Sequence, residues 1–454
     1  MALLWAETAL LPDGWARNVR LEIDDAGRIA SVTPDAPSEG HRTGCLLPAP
    51  VNSHSHAFQR ALAGLTEKRG PTEGDSFWTW RKLMFRFLDQ ITPDQAEAIA
   101  AFVQMEMLEA GYATNVEFHY LHHQPGGAPY KDLSEMSARI AAAAETSGIG
   151  LTLLPVHYQF GGCDGRALGP GQIRFGNDPN RFAKLVDGAA GALKPLPADT
   201  QLGVAPHSLR AVGKNDFAAI AALSQGGPVH MHLAEQKAEV AEVEAHWGAR
   251  PVTWALDNLA IDQGWCLIHC TQMEPAETTR LAESGAVAGL CPLTEASLGD
   301  GIFDGMRWVA SGGALSIGSD SNIRISLAEE LRQLDTSQRL RDHSRAPFAT
   351  PSHSSGRVLF DLANAGGAQA AGRASGQIAP GNWADLMALE TDHVDLAGLQ
   401  GDTAIDSFIF TGDSAMVRDV WSAGRHLVTD GHHIRRNAIT RAYQQAVASL
   451  RDGL

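Results

Sequence analysis

Leu46-Leu47-Pro48-Ala49-Pro50-Val51-Asn52-Ser53-His54-Ser55-His56 is a short apolar run that ends in two histidines one residue apart. Read as a strand, it projects residues i and i+2 to the same side, so both imidazoles can meet one ion. A His-x-His pair also arises by accident on surfaces and in cores, so its meaning depends on the rest of the chain. Seven more apolar runs end in polar residues: Thr114 to His123, Leu151 to Phe160, Gln201 to Leu209, Pro228 to Gln236, Trp265 to Met273, Ala286 to Glu295 and Ala314 to Asn322. Helix signals lie between them. The clearest is Thr92-Pro93-Asp94-Gln95, a Thr cap with Pro at the first helical position and Gln closing a capping box, followed by the stripe Ile99, Phe102, Val103 and Met107. Strands that alternate with helices and are apolar throughout predict an α/β fold with a parallel sheet buried on both faces. Eight of them predict a closed (β/α)8 barrel of the TIM type, whose C-terminal strand ends carry the chemistry.

Outside these runs, the chain from Met1 to about Leu47 alternates as a strand does, for example in Val19-Arg20-Leu21-Glu22-Ile23, and then turns at Asp24-Asp25-Ala26-Gly27. Short strands return in Ala384 to Leu389 and Val417 to Trp421, before a helical tail from Ile439 to Arg451. The expected organisation is therefore a small β-sandwich domain built from both chain termini, residues 1–47 and 375–454, around a barrel of residues 48–374. A chain of 454 residues with 44% apolar and 7% aromatic content can fill such a core. A formal charge of -16 argues against nucleic-acid binding, which needs clustered Lys and Arg, and favours a small-molecule partner. No basic leader and no apolar stretch of ~20 residues is present, so a cytoplasmic protein without a membrane partner is expected. Cys45, Cys163, Cys266, Cys270 and Cys291 are scattered and form no CxxC pair, and read as reduced and structural.

The later runs give the first one its meaning. The fifth ends in His232-Leu233-Ala234-Glu235, the sixth contains His269 and the eighth ends in Asp320, so four strands bring chemistry-bearing side chains to one rim. Neutral imidazoles and a carboxylate suit Zn2+ or Fe2+, whereas Ca2+ would need many more oxygens. The expected ligands are His54, His56, His232 and Asp320 around a single metal. Such an ion holds a water and lowers its pKa toward ~7. Asp320 can then accept the water proton, Glu235 can shuttle a proton to a leaving nitrogen, and His269 can hydrogen-bond the attacking oxygen and the tetrahedral centre. Taken singly, Glu235 also reads as a helix-start residue and His269 as a satisfied core histidine. The convergence of four strand ends favours the catalytic reading.

His54-Ser55-His56, His232 with Glu235, His269 and Gly318-Ser319-Asp320, in this order, resemble the amidohydrolase superfamily. So does Gly376-Gln377-Ile378-Ala379-Pro380-Gly381-Asn382-Trp383-Ala384-Asp385-Leu386, which is similar to the segment returning such chains to their β domain. The deaminase branch implies one metal and Glu as proton shuttle. Branches with two metals use a carboxylated lysine at a strand end, but the fourth run has none, and Lys214 lies beyond it. Within the branch, Val51 to Arg60, Glu117-Phe118-His119-Tyr120, Ala205 to Arg210 and Cys291-Pro292-Leu293-Thr294-Glu295-Ala296 resemble the deiminases that act on N-formimino-L-glutamate. Purine-type deaminases usually carry a Ser-Asn pair after the Cys-Pro. Leu293-Thr294-Glu295 departs from that and disfavours a nucleobase.

The resemblance implies that N-formimino-L-glutamate and water give N-formyl-L-glutamate and ammonia, in histidine degradation, with Zn2+ as metal, Fe2+ as the alternative, and a homodimer. The substrate's two carboxylates would suit Arg81 and Arg210, and Gln59, Tyr120 and His207 resemble the family's substrate contacts. Two other readings stay open: another deaminase of the branch acting on a guanidino or heterocyclic amine, and a noncatalytic metal-binding barrel. His122, His123, His157 and His230 do not match the ligand pattern and read as packing or rim residues. Trp78 and Trp80 read as a loop over the site, or as core or dimer contacts.

Overall fold

The computed structural model describes residues 1–67 and 84–451. Arg81, Trp78 and Trp80 lie outside the described residues.

The chain opens with four strands, β1 (Ala2–Leu11), β2 (Gly14–Ile23), β3 (Ile29–Thr33) and β4 (His41–Pro48). Alternation decides their faces: Val19, Leu21 and Ile23 are buried while Arg20 and Glu22 are half-buried. After β4 the apolar runs build the barrel in order: β5 (Val51–Ser55), β6 (Thr114–His119), β7 (Gly150–His157), β8 (Gln201–Leu202), β9 (Ala205–Pro206), β10 (Val229–Leu233), β11 (Trp265–His269), β12 (Val287–Leu290) and β13 (Ala314–Ile317). Every pairing among them is parallel. The fourth run yields two short pieces, β8 and β9, instead of one strand. Gly203 between them approaches the neighbouring chain so closely that a Cβ would lie 2.2 Å from the Pro228 carbonyl oxygen, and Pro206 has no N–H to offer a ladder.

Single bridges close the ring. Val204 pairs with Val229 and Ser208 with His232 on one side, and Ser55 pairs with Asp320 on the other. Eight strand positions thus form a closed parallel barrel, as the eight runs predict. Helices fill the intervals. Pro93–Glu109 starts at the expected capping box, with Thr92 Oγ1 accepting from Gln95 N at 3.3 Å and Gln95 Oε1 accepting from Thr92 N at 2.9 Å. Its stripe buries Ile99, Val103 and Met107, while Phe102 stacks on Tyr443 of the C-terminal helix Arg436–Arg451 at 3.9 Å.

The chain end returns to the first sheet. β14 (Leu386–Leu389) pairs antiparallel with β4 and with β15 (Val417–Ser422), and β16 (Arg425–Thr429) and β17 (His432–His433) complete eight strands in the order β17-β16-β15-β14-β4-β1-β2-β3. Both termini therefore contribute to one terminal β element. Among the described residues no helix is long and apolar enough to cross a membrane, and all five cysteines are free thiols.

Candidate metal centre and active site

Four strand ends deliver the site, and the backbone bends sharply to do so. His269 (φ +71°), Cys270 (φ +51°), Ala234 (φ +52°) and Asp320 (φ +46°) all adopt the left-handed conformation. Side chains with a Cβ avoid that region at a cost of about 1–3 kcal/mol each, and such strain persists where surrounding structure imposes it, often at functional sites. Of these four, His269 and Asp320 line the cavity at the barrel rim, while Ala234 and Cys270 pack in the core.

His54, His56 and His232 are buried, and the ligand nitrogens they offer lie within 4.8 Å of one another. His54 Nε2 is 3.1 Å from His232 Nε2, and Asp320 Oδ1 is 3.6 Å from His54 Nε2 and 3.3 Å from His56 Nε2. The rings are oriented from behind: His56 Nδ1 donates to Phe118 O at 3.0 Å and His232 Nδ1 to His207 O at 3.1 Å. With the proton held on Nδ1, the inward Nε2 carries the lone pair. Burial and the neighbouring imidazoles push His54 and His232 well below the usual histidine range, and burial takes His56 down to about 3. Three neutral imidazoles, two of them held through Nδ1, beside one carboxylate are a donor set that fits a divalent Zn2+- or Fe2+-type ion.

The candidate acid–base groups sit next to these donors. Glu235 Oε1 lies 4.0 Å from His269 Nε2, and Glu235 Oε2 lies 3.7 Å from Arg210 Nη2. His269 Nε2 also faces Asp320 Oδ2 at 3.9 Å, while its Nδ1 donates to Glu295 Oε1 at 3.2 Å. Burial opposes charge on His269, but Glu235, Glu295 and Asp320 outweigh it and lift the imidazole to about 10. Burial raises the Asp320 carboxyl to about 7 against the pull of His269. These groups open onto a cavity lined by His56, Gln59, Tyr120, His207, Arg210 and His232 together with Glu235, His269 and Asp320. Gln59 Nε2 donates to Tyr120 Oη at 2.7 Å, leaving Gln59 Oε1 buried without a hydrogen-bond partner among the described residues.

The structure thus gathers at one cavity every candidate residue within the described range except His54, which lies just behind it. Arg81 falls outside that range. Lys214 is exposed and sits over the Trp247 ring at 5.0 Å, outside the cavity lining. His122, His123 and His230 bond the carbonyls of Val156, Gly176 and Ala370, and His157 packs on Phe182. All four read as buried packing residues.

Sequence reasoning missed two buried acids that hold the site. Glu239 accepts from Ala234 N at 3.1 Å and Glu235 N at 3.0 Å and lies 4.0 Å from Arg210 Nε, so it grips the strained turn and the neighbouring cation together. Glu295 does the same for Cys291 N and His269. Each stands four or five residues after the backbone groups it holds, a spacing visible in the sequence, but its partner on another barrel unit was not. Met84, Tyr158, Phe175 and Leu298 complete the cavity wall.

A closed parallel barrel with a histidine–carboxylate centre at its C-terminal rim, opening on a cavity that holds a buried acid, defines a hydrolase of the metal-dependent barrel class. The chain belongs to the amidohydrolase family: the sequence model of that family matches residues 45–427. Residues 1–42 match the model described as "Formimidoylglutamate deiminase HutF, N-terminal domain". The chain is 46% identical to formimidoylglutamate deiminase from Pseudomonas aeruginosa over 100% of both chains. It is 26% identical to 5-methylthioadenosine/S-adenosylhomocysteine deaminase from Halobacterium salinarum, over 93% of this chain and 89% of that one. Among solved structures, an amidohydrolase from Brucella melitensis superposes with a TM-score of 0.95 at 46% identity, covering 99% of this chain and 100% of the other. The zinc complex of atrazine chlorohydrolase TrzN from Arthrobacter aurescens TC1 shares the fold, with a TM-score of 0.83 at 20% identity over 98% of this chain and 100% of that one.

Proposed function

We propose that this chain hydrolyses N-formimino-L-glutamate to N-formyl-L-glutamate and ammonia, a step in histidine degradation. The observation that carries this reading is the 46% identity to a formimidoylglutamate deiminase along the entire chain. The site geometry supports the same chemistry. His54, His56, His232 and Asp320 would hold one divalent ion, Zn2+ in the first instance and Fe2+ as the alternative, which when bound supplies Lewis acidity and a water of lowered pKa.

The chain's own residues do the rest. Asp320, with Oδ2 at 3.9 Å from His269 Nε2 and Oδ1 beside His54 and His56, is placed to take the proton from the attacking water. His269 presents Nε2 toward the oxygen that becomes bonded to the formimino carbon and stabilises the tetrahedral centre. Glu235, between Arg210 and His269, delivers a proton to the departing nitrogen, so that the C–N bond breaks with ammonia as leaving group. Arg210 and Arg81 pair with the substrate carboxylates, and Gln59, Tyr120 and His207 orient the chain of the substrate along the cavity wall.

Ammonia release from N-formimino-L-glutamate by metal-loaded protein, with the product identified by mass spectrometry, tests this directly. Fast release with N-formyl-L-glutamate as product is expected. Turnover of a nucleoside or guanidino amine in its place would overturn the substrate, and no turnover with stoichiometric metal would overturn the reaction.

A further inference from the structure

The segment Leu293-Thr294-Glu295, which departs from the Ser-Asn pair of purine-type deaminases, is bonded residue by residue to the catalytic rim. Leu293 N donates to the buried Glu330 Oε2 at 2.9 Å. Thr294 Oγ1 donates to Ser319 O at 3.3 Å and lies 2.9 Å from Ser321 Oγ, so it touches both neighbours of Asp320. Glu295 Oε1 accepts from its own turn, Cys291 N at 2.8 Å, and from His269 Nδ1 at 3.2 Å. A carboxylate only accepts, so the imidazole is the donor and Nδ1 carries a proton. Among the described residues Glu295 is the hydrogen-bond partner at Nδ1, whereas Nε2 faces Glu235 at 4.0 Å and Asp320 at 3.9 Å.

We infer that Glu295 is a positioning residue for the hydrolysis: its bond to Nδ1 fixes the His269 ring so that Nε2 points into the space between Glu235 and Asp320. The inference rests on the deimination proposed above. Without that bond no hydrogen bond holds the Nδ1 side of the ring, and the stacking on His232 at 5.6 Å and the 3.9–4.0 Å approaches at Nε2 fix its orientation less tightly. Outer partners that orient an active-site imidazole in this way contribute on the order of 10- to 100-fold. The Cys291 N bond gives Glu295 a structural task as well, so two variants are needed. Glu295→Gln keeps an oxygen that can accept from both N–H groups, and Glu295→Ala keeps none.

Steady-state kinetics and the Nδ1–H resonance of His269 in 15N-histidine-labelled, metal-loaded protein separate the alternatives, with the signal assigned by its loss in His269→Asn. In Glu295→Ala, kcat is expected to fall about 100-fold while KM stays within about threefold and metal content is unchanged. The Nδ1–H signal is expected to vanish into exchange. Glu295→Gln should recover at least about tenfold of kcat over the Ala variant and keep the signal. An Nδ1–H signal that persists in Glu295→Ala, or equal kcat losses in the two variants, overturns the inference. The resonance reads ring position without any substrate, so a wild-type protein inactive on N-formimino-L-glutamate but with this proton dependent on Glu295 would overturn the proposed reaction and leave the positioning intact.

Discussion

The main chains of His54 and Asp320 are bonded to each other: Asp320 N donates to His54 O at 2.9 Å, and His56 N donates to Asp320 O at 2.9 Å. The contact that closes the last strand position onto the first is therefore also the contact that brings two proposed ligand-bearing strand ends together. Side chains reinforce it. Asn52 Nδ2 donates to Ser319 Oγ at 2.6 Å, Ser319 Oγ donates to Asn322 Oδ1 at 2.6 Å, and Asn322 Nδ2 donates to Ser55 Oγ at 3.1 Å. Barrel closure and ligand placement rise or fall together.

Gly318 tests that coupling. A Cβ there would meet His54 Cβ and N at 2.7 Å and His54 O at 2.9 Å, mostly rigid backbone that has no room to yield. Gly318→Ala should force the end of β13 away from β5, costing about 1–3 kcal/mol and weakening metal retention. Urea unfolding and metal analysis after dialysis check this. A variant with wild-type stability and metal content would show that the closure tolerates separation.

In the proposed mechanism Glu235 moves a proton and does not hold metal. It lies 4.0 Å from His269 and 3.7 Å from Arg210, apart from the three clustered imidazoles. Glu235→Gln should bind metal stoichiometrically and lose turnover by ~10²–10⁴-fold, the usual contribution of a general acid–base group. Full activity with bound metal would remove Glu235 from the mechanism.

Arg210 stands in the cavity wall with its guanidinium held between Glu235 and Glu239. A charge-assisted bond to a substrate carboxylate contributes roughly 1.5–3 kcal/mol. Arg210→Lys has the charge but not the planar fork, so kcat/KM should fall by about 10- to 100-fold, mostly through KM. A change confined to kcat would mean that Arg210 serves Glu235 alone.

How much of this was legible in the sequence follows from where each signal lives. The eight strands could be counted because a barrel strand buried on both faces is apolar throughout, and Thr92 with Gln95 marked a helix start because both partners of a capping box lie within one turn. His54, His56, His232 and Asp320 were found because each stands near the end of an apolar run, and His269 because it lies within one. The split of the fourth run escaped notice, since it depends on the approach of Pro228, on the neighbouring barrel unit, to Gly203. Glu239 and Glu295 escaped for a related reason. Each looks like an ordinary acid at a helix start, and only the packing of one strand end against the next shows that it grips Arg210 or His269. Local periodicity is written in the chain, whereas contacts between consecutive barrel units are not.

Between the terminal sheet and the barrel lies a buried ion cluster with a pH signature. Asp199 accepts from Arg425 Nη1 at 2.9 Å, Arg425 Nη2 at 2.7 Å and Arg373 Nη2 at 2.9 Å, and Arg373 also donates to Asp385 from Nε at 2.6 Å. Burial alone would raise the Asp199 carboxyl, but Arg425 and Arg373 outweigh it and hold the group below the ordinary carboxylate range. Its folded pKa is thus lower than the unfolded value of ~3.9, so the unfolded chain binds this proton more tightly. The stabilisation is fully present above that unfolded value and disappears as pH falls through the lower folded one. Asp199→Asn should therefore cost about 1–3 kcal/mol at pH 7, and the gap between variant and wild type should narrow as the pH drops below ~4. Urea midpoints at pH 7, 5 and 3.5 measure that gap. A difference that stays constant across the three would mean that Asp199 acts through the shape of its hydrogen bonds and not through its charge.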